Sequence, residues 1–585
     1  MEKRWSIKSC ADEAIVNQLA FDLNIDKILA NMLAQRGITN YDDAKKFFRP
    51  SLSDLHDPFL MKDMDKAVIR LEKAIKNNEK ILVYGDYDVD GTTAVSLVYS
   101  FLKKLPFINS TEKQTNVVLD KDNLLVDYYI PDRYSEGYGI SFKGIDYAKE
   151  NNFTLIIALD CGIKANDKVD YANERNIDFI ICDHHRPGET LPKASAVLDP
   201  KRNDCSYPFT ELCGCGIGFK LVQAYAQKNN IPFDELTEYL DLAAISIASD
   251  LVPITGENRT LCYFGLERIN AMPRNGIKAI LDLANIKKKI TINELVFTIG
   301  PRINAAGRIQ TGRDAVALLI SDNEDHAKTS GININITNTE RRALDLTITQ
   351  HALSMIDENT ELIERKSTVL FHSEWHKGVI GIVASRLIEK YYRPTIVLTE
   401  SNGKATGSAR SVKDFDVYNA IEACSDLLEQ FGGHKYAAGL TLKLENVSAF
   451  QQRFEEIVSA TIEEHMLVPE IEIEAELELN DITPKFFRIL KQFEPFGPDN
   501  MSPVFVTKGL MDKGYVRIVG NNHLKMDLQA CQNPRESFSS IAFAQAQHFD
   551  DVLQKKIFSA CYAIEENEYN GKISLQLNVK DIKME

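Results

Sequence analysis

Residues 80–105 read KILVYGDYDVDGTTAVSLVYSFLKKL: an apolar run of β-formers, an acidic loop that reaches a glycine, then a segment with helical periodicity. Three acids at alternate positions before a glycine also open an EF-hand calcium loop, in which Asp86 would be position 1. Position 12 would then fall on Leu97 instead of a bidentate glutamate, and the loop follows a strand, not a helix. Calcium sensing is thereby rejected. Either Asp86 and Asp88 leave the strand end together toward one or two divalent ions, with Gly91 turning the backbone into the next helix, or the acids are solvated and cap that helix.

The same strand pattern recurs in FTLIIALD (153–160) and IDFIICD (177–183), with helical stretches between, which predicts an α/β domain with a mostly parallel sheet over 80–332. Ligands of such sheets bind beyond the carboxyl ends of the strands, and each apolar run here ends in an acid, Asp86, Asp160 or Asp183. These acids are expected to converge. Residues 1–79 read as a helical cap, and periodic apolar residues without glycine or proline predict a long connecting helix over 333–360. A second α/β unit is expected at 361–467, where FGGHKYAAGL (431–440) has the composition of a glycine-rich loop approaching a ligand. Short alternating runs from 468 to 585 predict a small β-barrel, an OB-fold being one candidate. The polar segment 106–122 reads as a surface insertion.

The chain has 585 residues, 44% hydrophobic and 26% charged, which is ordinary for a soluble globular protein of about four domains. No export signal and no run of about 18 apolar residues occurs, so the cytoplasm is expected and no membrane is involved. Ten scattered cysteines suit reduced core residues better than disulfides, and Cys205, Cys213 and Cys215 find no fourth partner for zinc. The net charge of −16 argues against coating duplex nucleic acid, although a local basic groove can still hold a strand.

Besides the first acidic loop, three elements carry chemistry: Asp160 in LDCG, the triplet Asp183-His184-His185, and Asp250 in ASDLVP. Two histidines after an acid at a strand end are hard to explain as core packing, because each polar group would need a partner. Carboxylates with one imidazole and no thiolate favour Mn²⁺ or Mg²⁺, and the number of donors suits two ions. Paired divalent ions serve phosphoester hydrolysis, a very slow uncatalysed reaction.

GDYDVDGTT, LDCG, DHH and ASDLVP, in this order, resemble the four phosphoesterase motifs of the DHH superfamily. YYIPDRYSEGYGIS (128–141), residues 196–221, GPRINAAGRI (300–309) and PFGPDN (495–500) extend the resemblance to bacterial single-strand-specific exonucleases of the RecJ family over nearly the whole chain. The resemblance implies Asp86, Asp88, Asp160, His184 and Asp250 as ligands of two Mn²⁺ or Mg²⁺ ions. Asp160 would bridge them, His185 would face the scissile phosphate, Asp183 would support the histidines, and Asp90 would stand outside the ligand set. It also implies a DHH-associated domain in which Gly432, Gly433 and His434 hold the terminal phosphate region of a single DNA strand, with Arg302, Arg308, His376 and Arg410 along its path. Some relatives carry a histidine where this chain has Tyr84, which implies a more weakly held first ion. The implied activity is 5′-to-3′ hydrolysis of single-stranded DNA to mononucleotides in repair and recombination, by a monomer partnered by a single-strand-binding protein and a helicase. Two alternatives remain open at this point: another DHH phosphoesterase acting on oligoribonucleotides or small phosphoesters, and a non-catalytic nucleic-acid-binding scaffold.

Overall fold

The computed structural model describes residues 2–105, 125–309, 311–532, 536–569 and 571–585, so the expected insertion at 106–122 lies outside the described residues. The chain divides into two compact units, one of Arg49–Ala343 with Glu494–Asn500, the other of Met1–Phe48, Leu344–Phe493 and Met501–Glu585.

In the first, five strands form one parallel sheet: β1 (Lys80–Gly85), β2 (Val126–Tyr129), β3 (Phe153–Leu159), β4 (Asp178–Cys182) and β5 (Ala196–Leu198), in the order β2-β1-β3-β4-β5. The strands are continuous apolar runs because both faces are covered. Ile81, Val83, Leu155, Ile157 and Ile180 share a core with α1 (Met64–Lys76), α2 (Val89–Lys104), α5 (Gly214–Lys228) and α6 (Leu240–Ser249). Their neighbours Leu82, Tyr84, Ile156, Ala158, Phe179 and Ile181 face α3 (Phe142–Glu150) and α4 (Asn166–Asn173). The period-two alternation of the strands thus sorts alternate residues into two apolar layers. The strand order reverses between β1 and β3, which opens a crevice at their carboxyl ends.

The expected cap over 1–79 is not one element. Residues up to Phe48 belong with the second unit, and Arg4–Ile7 is a strand paired in parallel with Glu470–Ile473. Helix α1 instead buries Val68, Leu71 and Ile75 in the core of the parallel-sheet domain. The connecting helix α7 (Glu324–Asp357) starts nine residues before the expected 333 and runs through Gly331, whose cost of about 1 kcal/mol a long helix absorbs.

The second unit contains β6 (Thr368–Phe371), β7 (Thr395–Ser401), β8 (Lys404–Arg410), β9 (Gln430–His434) and β10 (Ala437–Lys443), ordered β9-β10-β8-β7-β6, with α8 (Ile380–Tyr391) between β6 and β7. Only the β6–β7 pair is parallel. The segment 431–440, expected as a loop, is a β-hairpin turning at Lys435 and Tyr436. Glycines that leave no side chain to pack read as loop, but the pairing of Gly432 and Gly433 with β10, itself laddered to β8, holds the segment extended. Farther on, β11 (Phe505–Asp512), β12 (His523–Ala530), β13 (Ser537–Ala542), β14 (Phe558–Tyr569) and β15 (Lys572–Met584) close a ring β11-β14-β15-β13-β12 through a β11–β12 pairing at Leu510 and Ala530. This is the expected OB-like barrel.

Candidate metal centre

The acids gather at the carboxyl ends of β1, β3 and β4. Asp86 follows β1 directly and is fully buried; its Oδ1 accepts from the Gly139 N–H at 3.1 Å, while Oδ2 has no partner among the described residues. Asp88 is the N-cap of α2, accepting from the Gly91 N–H at 3.0 Å, and its carboxyl lies against Asp160. Gly91 already belongs to α2, and a Cβ there would stand 2.4 Å from the Asp86 carbonyl oxygen. The glycine therefore serves a close approach between helix and strand end, not the turn expected of it.

Asp160 ends β3 with a left-handed backbone, φ 59°, and its N–H donates to Cys182 O at 2.9 Å. Side-chain-bearing residues adopt that region at a cost of roughly 1–2 kcal/mol, aspartate more readily than most. The N-terminus of α5 presses on it, since a Cβ on Gly214 would lie 2.6 Å from the Asp160 Cβ. Asp183 follows β4 and organises both histidines. Its Oδ1 accepts from the His184 and His185 N–H groups at 2.8 and 3.1 Å and pairs with His185 Nδ1 at 2.7 Å, while Oδ2 accepts from Ile163 N–H at 2.9 Å. His185 is thereby turned so that Nε2 meets the Tyr138 hydroxyl at 3.2 Å, and the same hydroxyl lies 3.1 Å from Asp160 O. His184 Nε2 stands 3.2 Å from Asp160 Oδ1, 3.6 Å from Asp250 Oδ2 and 3.7 Å from Asp90 Oδ2. Asp250 is the C-cap of α6.

Asp90 is the largest departure from expectation. It serves a helix N-terminus, but that of α5, where it accepts from the Gly214 and Cys215 N–H groups at 2.6 and 2.7 Å and from Ser246 Oγ at 2.6 Å. The same carboxylate faces His184 and Asp250. Spacing alone could not reveal this, because its partners are more than a hundred residues away. Tyr138, Gly139 and Ser246 were likewise missed; the glycines flanking Tyr138 were the only local signal.

Burial raises the carboxyls of Asp86, Asp160 and Asp250 well above the usual range, and their mutual repulsion adds to it. Asp183 is the exception. Burial would raise it as well, but His185 and the Ile163 N–H hold it at about 2. Burial alone would lower His185; the Asp183 pair, with Asp250 and Asp90 beyond, lifts it to about 9. His184 is pushed down to about 4 by burial, so it stays neutral and able to donate a lone pair to a metal.

This donor set fits divalent cations. Asp160, His184 and His185, and separately Asp90, His184 and Asp250, each bring ligand atoms within 4.8 Å of one another. Donors on one octahedral ion with bonds near 2.1 Å lie about 3 Å apart, which suits the spacings around His184 Nε2. The neighbouring thiols do not compete: burial raises Cys213 and Cys215 well above their ordinary value, and Cys213 Sγ accepts from Ser246 Oγ at 3.0 Å.

None of the predicted strand-binding residues is among these donor groups, although Arg308 follows Gly307, where a Cβ would lie 2.2 Å from Tyr87 O between Asp86 and Asp88. Arg302 donates to Thr298 O at 2.8 Å and Asn335 Oδ1 at 3.1 Å; the Arg308 carbonyl accepts from the Tyr134 hydroxyl. In the second unit, Arg410 ends β8 in register with Ala437, the strand partner of His434. Its guanidinium donates to Ser408 Oγ at 3.1 Å and to its neighbour's carbonyl, Ala409 O, at 2.7 Å, and forms no ion pair among the described residues. A Cβ on Gly381, in the first turn of α8, would lie 3.0 Å from it. His376 accepts from the Gly378 N–H at 3.1 Å in the loop before α8. Gly432, Gly433 and His434 are exposed along β9.

A parallel sheet ordered 2-1-3-4-5, with a carboxylate–histidine centre at its switch point, defines the class, and residues 80–247 match the DHH family, N-terminal domain. Residues 364–460 match the DHHA1 domain and 473–581 the RecJ OB domain. The chain is 36% identical to the single-stranded-DNA-specific exonuclease RecJ of Bacillus subtilis, over 99% of this chain and 70% of that protein. It is 31% identical to the exonuclease of the same name from Escherichia coli, over 95% of each. The crystal structure of RecJ in complex with Mn²⁺ from Thermus thermophilus superimposes with a TM-score of 0.82 at 27% identity, covering 99% of this chain and 79% of that one. The chain belongs to the RecJ family.

Proposed function

We propose that this protein is a divalent-metal-dependent exonuclease that hydrolyses single-stranded DNA from the 5′ end to mononucleotides, in repair and recombination. The observation that carries this reading is the buried set of carboxylates around His184, with Asp86 Oδ2 left without a partner among the described residues. Asp86, Asp88, Asp160, His184 and Asp250 would hold the two ions, and Asp90 joins them by its place beside His184 and Asp250. When bound, Mn²⁺ or Mg²⁺ would lower the pKa of water and neutralise charge developing on the phosphoryl oxygens.

The chain's own residues do the rest. Asp183 fixes the His185 ring, so that Nε2, beside the Tyr138 hydroxyl, is the donor directed at a phosphate oxygen. The half-buried Arg410, without a carboxylate and next to the N-terminus of α8, is suited to a phosphate. The hairpin at Gly432, Gly433 and His434 offers exposed backbone in register with it, and His376, Arg302 and Arg308 are the further groups that family resemblance assigns to the strand. The exposed Tyr515 and Phe543 of the barrel, with Arg517 and Lys525, suit stacking and pairing with a single strand.

No helix among the described residues is long and apolar enough to cross a membrane, and the ten cysteines are free thiols, which suits the cytoplasm. A monomeric state and association with a single-strand-binding protein and a helicase complete the reading by family analogy. The test is digestion of 5′- and 3′-labelled single strands, DNA and RNA, with Mn²⁺ or Mg²⁺ and after exhaustive chelation. Release of 5′ label first, lost on chelation, is expected; full activity of chelated protein, or attack from the 3′ end, would overturn the reading.

A further inference from the structure

Tyr84 stands two residues before Asp86 on β1, yet it points into the other layer of the sheet. Its side chain is fully buried, and its ring stacks on Tyr129 at 5.3 Å between centroids. The hydroxyl donates to Gly139 O at 2.9 Å and accepts from the Ser141 N–H at 3.1 Å. Gly139 has a left-handed backbone, φ 78°, and its N–H is the donor that meets Asp86 Oδ1 at 3.1 Å. One residue is thus held from both sides, by its carbonyl to Tyr84 and by its amide to Asp86.

The rest of this loop is anchored elsewhere. Glu136 accepts from the Tyr129 hydroxyl, from the Asp132 N–H and, at 2.6 Å, from Ser141 Oγ, while Ser141 also caps α3 through the Gly144 N–H at 2.9 Å. Those contacts hold the loop to the fold. The Tyr84 hydroxyl differs in holding the carbonyl of the residue whose N–H touches a carboxylate of the centre.

We propose that Tyr84 is a positioning residue for the cation at Asp86: by holding the carbonyl of Gly139, its hydroxyl orients that residue so that its N–H commits Asp86 Oδ1 to the loop and leaves Oδ2, without a partner among the described residues, for the ion. The inference rests on the metal-dependent reading above. Hydrogen-bond partners of ligating carboxylates change metal affinity by roughly 10- to 100-fold when removed. Removing the hydroxyl alone leaves the ring stack and the layer intact.

The experiment titrates Mn²⁺ into chelator-treated full-length protein, following heat and the free Mn²⁺ resonance signal, for wild type, Tyr84→Phe and Ser141→Ala. Tyr84→Phe is expected to bind Mn²⁺ about 10-fold more weakly, to lose a few degrees of melting temperature because Gly139 O and the Ser141 N–H lose this partner, and to recover its cleavage rate as Mn²⁺ is raised. Ser141→Ala removes the helix cap and is expected to lower the melting temperature by a few degrees while keeping wild-type Mn²⁺ affinity. Wild-type affinity in Tyr84→Phe, or equal weakening in both variants, overturns the proposal. Absence of Mn²⁺ binding by the wild type would overturn the metal reading itself.

Discussion

The carboxylate centre at the ends of β1, β3 and β4 and the Arg410 region at the end of β8 both withdraw charge from water, with opposite sign. Around His184, burial and mutual repulsion push the carboxyls of Asp86, Asp160 and Asp250 upward, and His185 and Lys201 at Asp250, with Arg133 at Asp86, offset only part of that charge. At Arg410, burial lowers the guanidinium, and no carboxylate among the described residues pairs with it. Uncompensated buried charge is costly, so each region is arranged for something the chain itself does not supply. The difference teaches which chemistry each is suited to: hard cations in one and, on the function proposed above, a phosphate in the other.

The sharpest way to break this contrast is to remove a charge from each side. Asp160→Ala should lower the cleavage rate by roughly 10³-fold or more while retaining single-strand binding, because several kcal/mol of transition-state stabilisation depend on the ions. Single-turnover digestion at saturating Mn²⁺ measures it, and near-wild-type rates would refute the role given to Asp160. Arg410→Ala should weaken single-strand affinity by roughly 10- to 100-fold and reduce the dependence of log affinity on log salt by about one, with a smaller effect on the saturated rate. Fluorescence anisotropy across a salt series decides this; an unchanged slope would remove Arg410 from the phosphate path.

A finer test concerns protons. Carboxyls raised by burial and repulsion retain protons that cations must displace, so Mn²⁺ affinity of the chelated protein should rise with pH above the ordinary carboxylate range, by up to about 10-fold per unit for each proton released. Calorimetry in buffers of different ionisation heat counts those protons, and a pH-independent affinity would mean the acids are already ionised.

The smallest effect is expected at Asp199, just after β5. Burial, then the charge of Asp183, raises this fully buried carboxyl to about 7, and its Oδ2 lacks a partner among the described residues. Since the folded value lies above the ordinary 3.9 of an unfolded chain, the stability it contributes is complete below about pH 4 and is lost as pH rises through about 7. Asp199→Asn should therefore raise the melting temperature by a few degrees at pH 8 and leave it unchanged near pH 4. A pH-independent shift would point to packing instead.

The parallel sheet and its acids were legible because each strand is a bounded apolar run that stops at a charged residue, and the rule for strand ends did not depend on knowing the strand order. Closure of the C-terminal barrel was legible in outline from its alternation. Asp90 was legible only as a residue for a helix N-terminus or a water shell; which helix it serves depends on Gly214, Cys215 and Ser246, which local spacing does not connect to it. The 431–440 hairpin was misread since glycine signals backbone freedom, while the pairing of β10 with β8 that anchors the hairpin is a tertiary fact. Arg410 was marked by resemblance, not by pattern: an arginine ending a strand reads the same whether or not a carboxylate meets it.

Gly91 and Gly214 bear on any attempt to transplant this centre. Each lies where one backbone touches another residue that carries chemistry, Asp86 in one case and Asp160 in the other, closer than any side chain permits. A designer who copied only the acids and histidines onto a different parallel sheet would force two helices outward and separate the donors. The portable module is therefore the acids together with two absent side chains, and saturation libraries at residues 91 and 214 should return glycine from selection for metal-dependent cleavage.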